Sequence, residues 1–192
     1  MDKVVIVGVG ALGSHVALLL RNLSVILIDD DRIETQNTLS QFHTSSHIGR
    51  NKAMSLVMTI GSLFRASGKR TPIPHRLVNE NSSILLDGAS LVIDCTDNGA
   101  ARRVIQSACH KHDLPCLHGA LSADGTFGRA VWMEHFRVDD EPGDGAPTCE
   151  DGENLPFHGL AGAHIACIAQ RFLKTRQRVS IQFTAATVTR LA

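Results

Sequence analysis

The chain has 192 residues, 43% of them hydrophobic, and its 19 basic side chains balance 19 acidic ones. This composition supports a packed core in a single domain over residues 1–192, and the balanced charge gives no field that attracts nucleic acid or an anionic membrane. No apolar run reaches the ~18 residues of a membrane span, and no signal peptide precedes the first predicted strand. We therefore expect a cytoplasmic protein without nucleic-acid or membrane partners.

The five cysteines are scattered along the chain, and none forms a C-x-x-C pair. We therefore expect reduced thiols and no zinc site. Cys95, Cys109, Cys116 and Cys167 lie in apolar or helical stretches, so we expect them to be small core residues. Cys149 lies in a polar stretch and is treated separately below.

A buried strand, a glycine turn and a helix open the chain. Residues 4–7 read Val-Val-Ile-Val, which is typical of a parallel strand covered on both faces. The sequence GVGALG follows at residues 8–13. Its spacing permits a tight turn, a close approach of phosphate to the backbone, and close packing of helix on strand. The free N–H groups of the helix start then face an anion, so we predict a nucleotide-phosphate site. The residues assigned to it are Gly8, Gly10, Ala11, Leu12 and Gly13.

The later elements alternate between strands and helices, which predicts an α/β fold, Rossmann-like and doubly wound, with a mainly parallel sheet. Predicted strands cover 25–28, 91–98, 115–120 and 126–133, with an edge strand over 70–78 and a final strand or strand pair over 178–191. Predicted helices end near residue 22 and cover 51–66, 99–111 and 157–173, with a short helix or turn over 81–86. Residues 32–49 are polar and aperiodic, which indicates a functional or disordered loop. Residues 134–156 carry eight acidic side chains among glycines and prolines, which predicts a mobile acidic loop.

Acidic and amide side chains follow two of the predicted strands. Asp29 lies where an acid binds a ribose hydroxyl, the alternative being a solvated turn. Asp97 and Asn98 end another strand, and ligands bind outside the carboxyl ends of strands in such sheets. Both positions therefore belong near the nucleotide.

Four motifs in order resemble the ThiF/MoeB and ubiquitin-activating-enzyme superfamily. They are the glycine loop at 8–13, Asp29-Asp30-Asp31 leading to Asn37-Thr38-Leu39-Ser40-Gln41, the helix start at 49–53, and Asp94-Cys95-Thr96-Asp97-Asn98. The resemblance covers residues 4 to about 130 and resumes more loosely from Gly159. It implies a homodimer that binds ATP and Mg²⁺ and adenylates the C-terminal carboxylate of a small ubiquitin-like or sulfur-carrier protein.

Carried over by position, the resemblance implies a role for each motif residue. Asp29 would hold the ribose, with Asp31 in the same cofactor site. Asn37, Gln41 and Lys52 would contact the phosphates. Asp97 would bind Mg²⁺ and help place the reacting centre, with Asn98 beside it in the cofactor site. Lys52 and Asp97 are thus the predicted catalytic residues.

Simpler roles and a rival class stand beside this interpretation. Lys52 is alternatively a solvated lysine in the first turn of a helix, and Asp97 an N-cap of the 99–111 helix. An NAD-dependent dehydrogenase needs the glycine loop and Asp29, but it has no use for Asn37, Gln41 and Lys52.

Ser40 stands where the resemblance implies an arginine, and we expect no arginine-bearing helix of the kind that family members often carry before the first strand. Such an arginine is worth ~10³–10⁵ in the rate of phosphoryl transfer. Arg50, Arg21 or a partner chain are the candidates to supply the charge. The alternative is a catalytically weak nucleotide-binding scaffold, or the inactive subunit of a heterodimeric activating enzyme. A third hypothesis is an adenylating enzyme of another substrate class, such as a tRNA-base dehydratase or a peptide-modifying relative.

Cys149 is the third predicted catalytic residue, as a thiol that forms a thioester. In thioester-forming relatives the catalytic cysteine lies on a loop in this region and is followed by a proline, as Pro156 follows here. Against this role, Glu150, Asp151 and Glu153 should raise the pKa of the thiol. The alternative is an exposed, unreactive loop cysteine.

Overall fold

The structure, a computed structural model, describes residues 2–122, 124–138 and 152–191. In these ranges, eight strands form one sheet: β1 (Lys3–Val7), β2 (Ser24–Ile28), β3 (Arg70–Ile73), β4 (Leu91–Asp94), β5 (Cys116–Leu121), β6 (Phe127–Trp132), β7 (Ser180–Thr184) and β8 (Val188–Leu191). Their spatial order is β3-β2-β1-β4-β5-β6-β7-β8. The first five strands pair in parallel and the last three pairings are antiparallel. The predicted Rossmann-like, mainly parallel sheet is confirmed.

Within the described residues, six α-helices accompany the sheet: α1 (Ala11–Leu19), α2 (Asn37–Ser40), α3 (Lys52–Leu63), α4 (Asn79–Leu85), α5 (Gly99–Lys111) and α6 (Leu155–Thr175). The bounds of α5 are those predicted. α1 and α3 are shorter than predicted, and α3 begins at Lys52 because the side chain of Asn51 accepts the Met54 N–H as its N-cap. α6 is longer, because Pro156 fits a helical first turn and Arg176 ends the helix in the left-handed conformation.

The polar segment 32–49 is more ordered than predicted. It contains α2 and a 3-10 turn at Ser45–His47. Both are too short to produce a periodic sequence pattern, which is why the prediction missed them. The predicted edge strand is confirmed as β3, shortened to Arg70–Ile73, and its Pro72 is tolerated because β3 pairs only with β2.

The core lies on both faces of the sheet. Val4 and Ile6 of β1 pack on the face covered by α1, α3 and α6, whereas Val5 and Val7 pack on the face that α5 covers. Successive side chains of a strand alternate between faces, so a strand buried on both sides must be apolar throughout. The uninterrupted apolar run of β1 is explained by this double covering.

The cysteines follow the prediction only in part. Cys109 and Cys116 are buried in the core, but Cys167 is exposed on the outer face of α6, so the prediction for it is wrong. Cys149 and residues 139–151 of the acidic loop lie outside the described residues. Among the helices that are described, none is long and apolar enough to cross a membrane.

Candidate nucleotide site

A cavity of about 690 Å³ opens at the carboxyl ends of the central parallel strands. It lies where β1 is flanked by β2 on one side and β4 on the other, the point at which the strand order reverses in a doubly wound sheet. Of the predicted cofactor residues, the cavity wall includes Gly8, Gly10, Ala11, Leu12, Asp29, Asp31, Asn37, Gln41, Lys52, Asp97 and Asn98. Gly13 lies behind this wall. The four sequence motifs therefore meet in one place.

The glycine turn requires its glycines for different reasons. Gly8 has φ +83°, and a Cβ there would lie 3.0 Å from the Cys95 carbonyl oxygen. A Cβ at Gly13 would lie 1.9 Å from the Gly8 oxygen, so no side chain fits between α1 and the turn. A Cβ at Gly10 would meet nothing nearer than the Gln41 amide nitrogen at 3.9 Å. Gly10 thus leaves space in front of the α1 N-terminus, where N–H groups favour an anion.

Asp29 closes the turn from β2. Its two carboxylate oxygens accept the Val9 N–H at 2.7 Å and the Asp31 N–H at 2.9 Å. Burial raises the pKa of Asp29, and these two backbone bonds oppose the rise. Because an ionised carboxylate has about four acceptor positions, two bonds leave room for a ribose hydroxyl. The predicted ribose contact therefore fits the geometry.

Lys52 is the first residue of α3 and enters the cavity wall. Its Nζ lies 3.0 Å from Asp31 Oδ2, and the two side chains are 12% and 58% exposed. Asn51, the residue before it, donates to the carbonyls of Asp29 and Asp31 and ties the start of α3 to the end of β2. The alternative of a solvated surface lysine is wrong. Lys52 places a largely buried cation in the wall of the cavity that the α1 N-terminus also lines.

Asn37 begins α2 and Gln41 follows its last residue. The two side chains differ in whether their amide oxygens are already hydrogen-bonded. Asn37 accepts the Glu34 N–H at 2.9 Å, which engages its carbonyl oxygen. The Gln41 side chain is buried, and its Oε1 has no hydrogen-bond partner among the residues described. An unpartnered buried amide oxygen is costly, so a hydrogen-bond donor on a ligand in the cavity would stabilise it. Ser40 between them is fully buried.

Asp97 and Asn98, which follow β4, have different roles in the structure. Asn98, not Asp97, is the N-cap of α5, since its Oδ1 accepts the Ala101 N–H at 2.8 Å. The N-cap role considered for Asp97 is therefore wrong. Asp97 is exposed and lines the cavity. Among the residues that the structure describes, one group of three side chains could hold a metal ion, namely Asp29, Asp30 and Asp31, and Asp97 is not part of it. Mg²⁺ commonly uses one or two carboxylates plus substrate phosphates, so a single Asp97 suits it.

The cavity is also lined by three arginines that the sequence analysis did not predict: Arg32, Arg76 and Arg102. The predicted substitutes for the family arginine lie elsewhere. Arg21 donates to the Leu18 carbonyl at the far end of α1, and its guanidinium lies 4.8 Å from the Phe64 ring centre. Arg50 is exposed before α3 and does not line the cavity. The spacing of Arg102 four residues after the Asn98 cap was a signal for a side chain directed back toward the strand end.

A buried hydrogen-bonded pair beneath the cavity also escaped prediction. His118 of β5 and Asp94 of β4 are fully buried, and His118 Nδ1 lies 2.7 Å from Asp94 Oδ2. The two residues are register partners in the parallel β4–β5 pair. In sequence His118 stands in an apolar strand with no nearby acid, so only the sheet order reveals the pairing.

Comparison with known proteins agrees with this geometry. The sequence profile of the ThiF family matches residues 1–187. The chain belongs to the ThiF family. The resemblance seen in the four motifs is thereby confirmed, and the match extends through β7 and ends just before β8.

Curated relatives of this family member are adenylyltransferases. It is 28% identical over 186 residues to the molybdopterin-synthase adenylyltransferase of Salmonella typhimurium, covering 89% of this chain and 72% of that one. It is 32% identical over 134 residues to the sulfur carrier protein ThiS adenylyltransferase of Escherichia coli, covering 68% and 52%. In four such relatives, these two included, the matched region covers between 46% and 72% of the relative's own length.

Solved structures show the same fold. The structure of E. coli MccB with ATP superposes with a TM-score of 0.78 at 16% identity, covering 99% of this chain and 63% of that one. At this identity the likeness concerns the fold of the ThiF-family domain.

Proposed function

We propose that this chain adenylates the C-terminal carboxylate of a small sulfur-carrier or ubiquitin-like protein, using ATP and Mg²⁺. The observation that carries the proposal is the cavity in which the glycine turn, Lys52, Gln41 and Asp97 meet. The names of the adenylyltransferase relatives support the reaction class and the kind of partner. A dehydrogenase would leave Lys52 and Gln41 without a role.

Each residue has a physical task in this reaction. The carrier's carboxylate oxygen bonds to the α-phosphorus of ATP while the bond to the departing pyrophosphate breaks. A helix N-terminus stabilises an anion by only ~0.3–1 kcal/mol, so the α1 N–H groups need help from a cation such as Lys52. Asp29 would orient the ribose, and the Nε2 amide of Gln41 would donate to a phosphate oxygen. Asp97 would hold Mg²⁺, which neutralises charge on the phosphates when bound.

The test is ATP–pyrophosphate exchange with purified carrier proteins that end in Gly-Gly. We expect exchange that requires both Mg²⁺ and a carrier, and no exchange with the same carrier lacking its last two residues. Exchange with no carrier would contradict the proposal. A short peptide and a tRNA serve as further substrates, because activity on either one alone would instead support the third substrate class.

A nucleotide-binding scaffold is the second candidate, favoured by Ser40. This residue is fully buried where the resemblance implies an arginine, and neither Arg21 nor Arg50 lines the cavity. ATP binding without exchange, for the chain alone, would support the scaffold. Restoration of exchange by a second protein would identify the chain as one subunit of a heterodimer. The implied homodimer is tested on the same sample by light scattering.

We also retain Cys149 as the proposed thioester-forming residue, on the resemblance alone. Its thiolate would attack the carbonyl carbon of the acyl-adenylate and release AMP. The exchange reaction, run on a non-reducing gel, should then show an adduct between chain and carrier that thiols release. An adduct that persists in Cys149→Ala would remove Cys149 from the proposal.

A further inference from the structure

Thr96 lies between Cys95 and Asp97. Its N–H, its hydroxyl and its carbonyl oxygen all form hydrogen bonds. Its N–H and hydroxyl both donate to Asp94 Oδ1, at 2.9 and 2.7 Å. Its carbonyl oxygen accepts from Arg102 Nε at 3.1 Å and from Arg102 Nη2 at 2.6 Å. The backbone that carries Asp97 is thus held from both sides.

The acceptor in this arrangement is itself fixed from below. Asp94 is fully buried, and its second oxygen accepts the Nδ1–H of the fully buried His118. Because a carboxylate only accepts, the His118 proton lies on Nδ1. Nε2 of the same ring lies 3.5 Å from Cys116 Sγ. The carboxylate of Asp94 therefore cannot rotate away from Thr96 without breaking its buried hydrogen bond to His118.

The donor is fixed as well. Arg102 Nη2 lies 3.5 Å from the Gly119 carbonyl oxygen, so its guanidinium spans the ends of β4 and β5. The Phe136 ring stacks on His118, with ring centres 4.2 Å apart, and Arg102 Cζ lies 5.3 Å from the same ring centre. We name these four residues, Asp94, Arg102, His118 and Phe136, the Thr96 clasp.

We propose that the Thr96 clasp positions Asp97 for its metal and phosphate contacts, with Arg102 acting through the backbone and not as a phosphate ligand. This inference rests on the proposed function. Asp97 is exposed and makes no side-chain hydrogen bond within the described part of the chain, so the adjoining backbone sets its place. A misplacement of ~1 Å at a reacting centre costs ~10² in rate, which makes such fixation matter.

The first test uses Arg102→Met and Arg102→Lys, with Arg103→Met on the next, exposed residue as matched control. Amide hydrogen exchange over residues 95–98 is measured on the ligand-free protein. We expect both Arg102 variants to speed exchange by ~10-fold or more, because a lost bond to a charged donor is worth that factor. Lysine should not rescue, since one ammonium does not reproduce the two-pronged contact with Thr96.

The second readout separates positioning from direct phosphate contact. ATP affinity is measured with Mg²⁺ and again in EDTA. We expect the Arg102 variants to lose most of the gain that Mg²⁺ gives, about tenfold or more, while affinity in EDTA stays within about twofold. Affinity lost equally in EDTA and restored by lysine would overturn the proposal in favour of a phosphate ligand. Unchanged hydrogen exchange at 95–98 would overturn it as well.

A second pair of variants guards against an unfolded Arg102→Met. His118→Asn keeps an N–H donor near Asp94, whereas His118→Leu removes it, so hydrogen exchange at 95–98 should be faster in the leucine variant. Equal exchange in the two would count against the clasp. Amide hydrogen exchange is measured without nucleotide, so it tests the clasp independently of catalysis. If the wild-type protein shows no ATP–pyrophosphate exchange, that result overturns only the proposed function.

Discussion

At the scale of single residues, Lys52 holds a cation in the cavity wall, where the proposed phosphate contact needs one. Its partner Asp31 is 58% exposed, and an ion pair open to water on one side contributes little to stability. The lysine side chain, at 12% exposure, is held largely out of solvent. A phosphate that replaces or joins Asp31 therefore gains a preoriented charge at small cost.

Replacing Lys52 by methionine keeps the stem of the side chain and removes the charge. We expect ATP–pyrophosphate exchange to fall by about 10²–10³ in kcat/KM, the loss typical of a preorganised electrostatic contact. Asp31→Asn should cost less than about tenfold, because Lys52 remains. Lys111→Met, at the end of α5, is the control. Activity of Lys52→Met within threefold of wild type would show that the pair is structural only.

At the scale of elements, the β1–turn–α1 unit depends on contact between backbones. The 1.9 Å separation calculated for a Cβ at Gly13 is measured to the Gly8 carbonyl, which has no flexible side chain to move aside. Gly61 is the opposite case, since a Cβ on this α3 residue would meet nothing within 4 Å. The two helical glycines make a matched pair.

We expect Gly13→Ala to lower the free energy of unfolding by about 1–3 kcal/mol or more and to weaken ATP binding, because α1 must retreat from the turn. Gly61→Ala should raise the free energy of unfolding by about 0.5–1 kcal/mol, since glycine is unfavourable inside a helix. Urea unfolding and nucleotide titration measure both effects. A Gly13→Ala protein as stable as Gly61→Ala would contradict the close contact.

The sequence predicts whatever depends on local pattern or on ordered motifs. α5 is predicted to the residue, and the positions of the glycine turn, Lys52 and Asp97 at one cavity follow from the motif order. Arg102 and His118 are different, because their partners become neighbours only through the β4–β5 register. Arg21 and Arg50 fail for a related reason, since closeness to a motif in sequence says nothing about which end of a helix a side chain reaches.

At the scale of the whole molecule, buried histidines make stability depend on pH. Burial lowers the pKa of His15, His43 and His164, and for His43 it does so from 6.5 to about 4. For His43 the nearby charges of Lys52 and His47 add to the effect, and its bond to the Val9 carbonyl opposes it. The unfolded chain then binds protons more readily than the folded one, so stability present above pH 6.5 is lost as pH falls toward 4.

We expect the free energy of unfolding to drop between pH 7 and pH 5, with His43 accounting for about 2 kcal/mol of the decrease. His43→Gln removes that titration, so its own decrease should be smaller by about this amount, whatever its stability at pH 7. Urea unfolding at the two pH values measures the difference. Parallel curves for the variant and wild type would show that His43 is not held neutral by the fold.

The bond between His118 and Asp94 also gives the molecule an internal reporter. A ring proton sealed from solvent and held against a carboxylate exchanges slowly with water, so it should give its own downfield resonance in a proton NMR spectrum. Its frequency is set by the 2.7 Å separation and by the ring current of the Phe136 ring stacked above. Nucleotide or carrier titrations can therefore be followed at the Thr96 clasp on unlabelled, unmodified protein, through the shift of this one resonance.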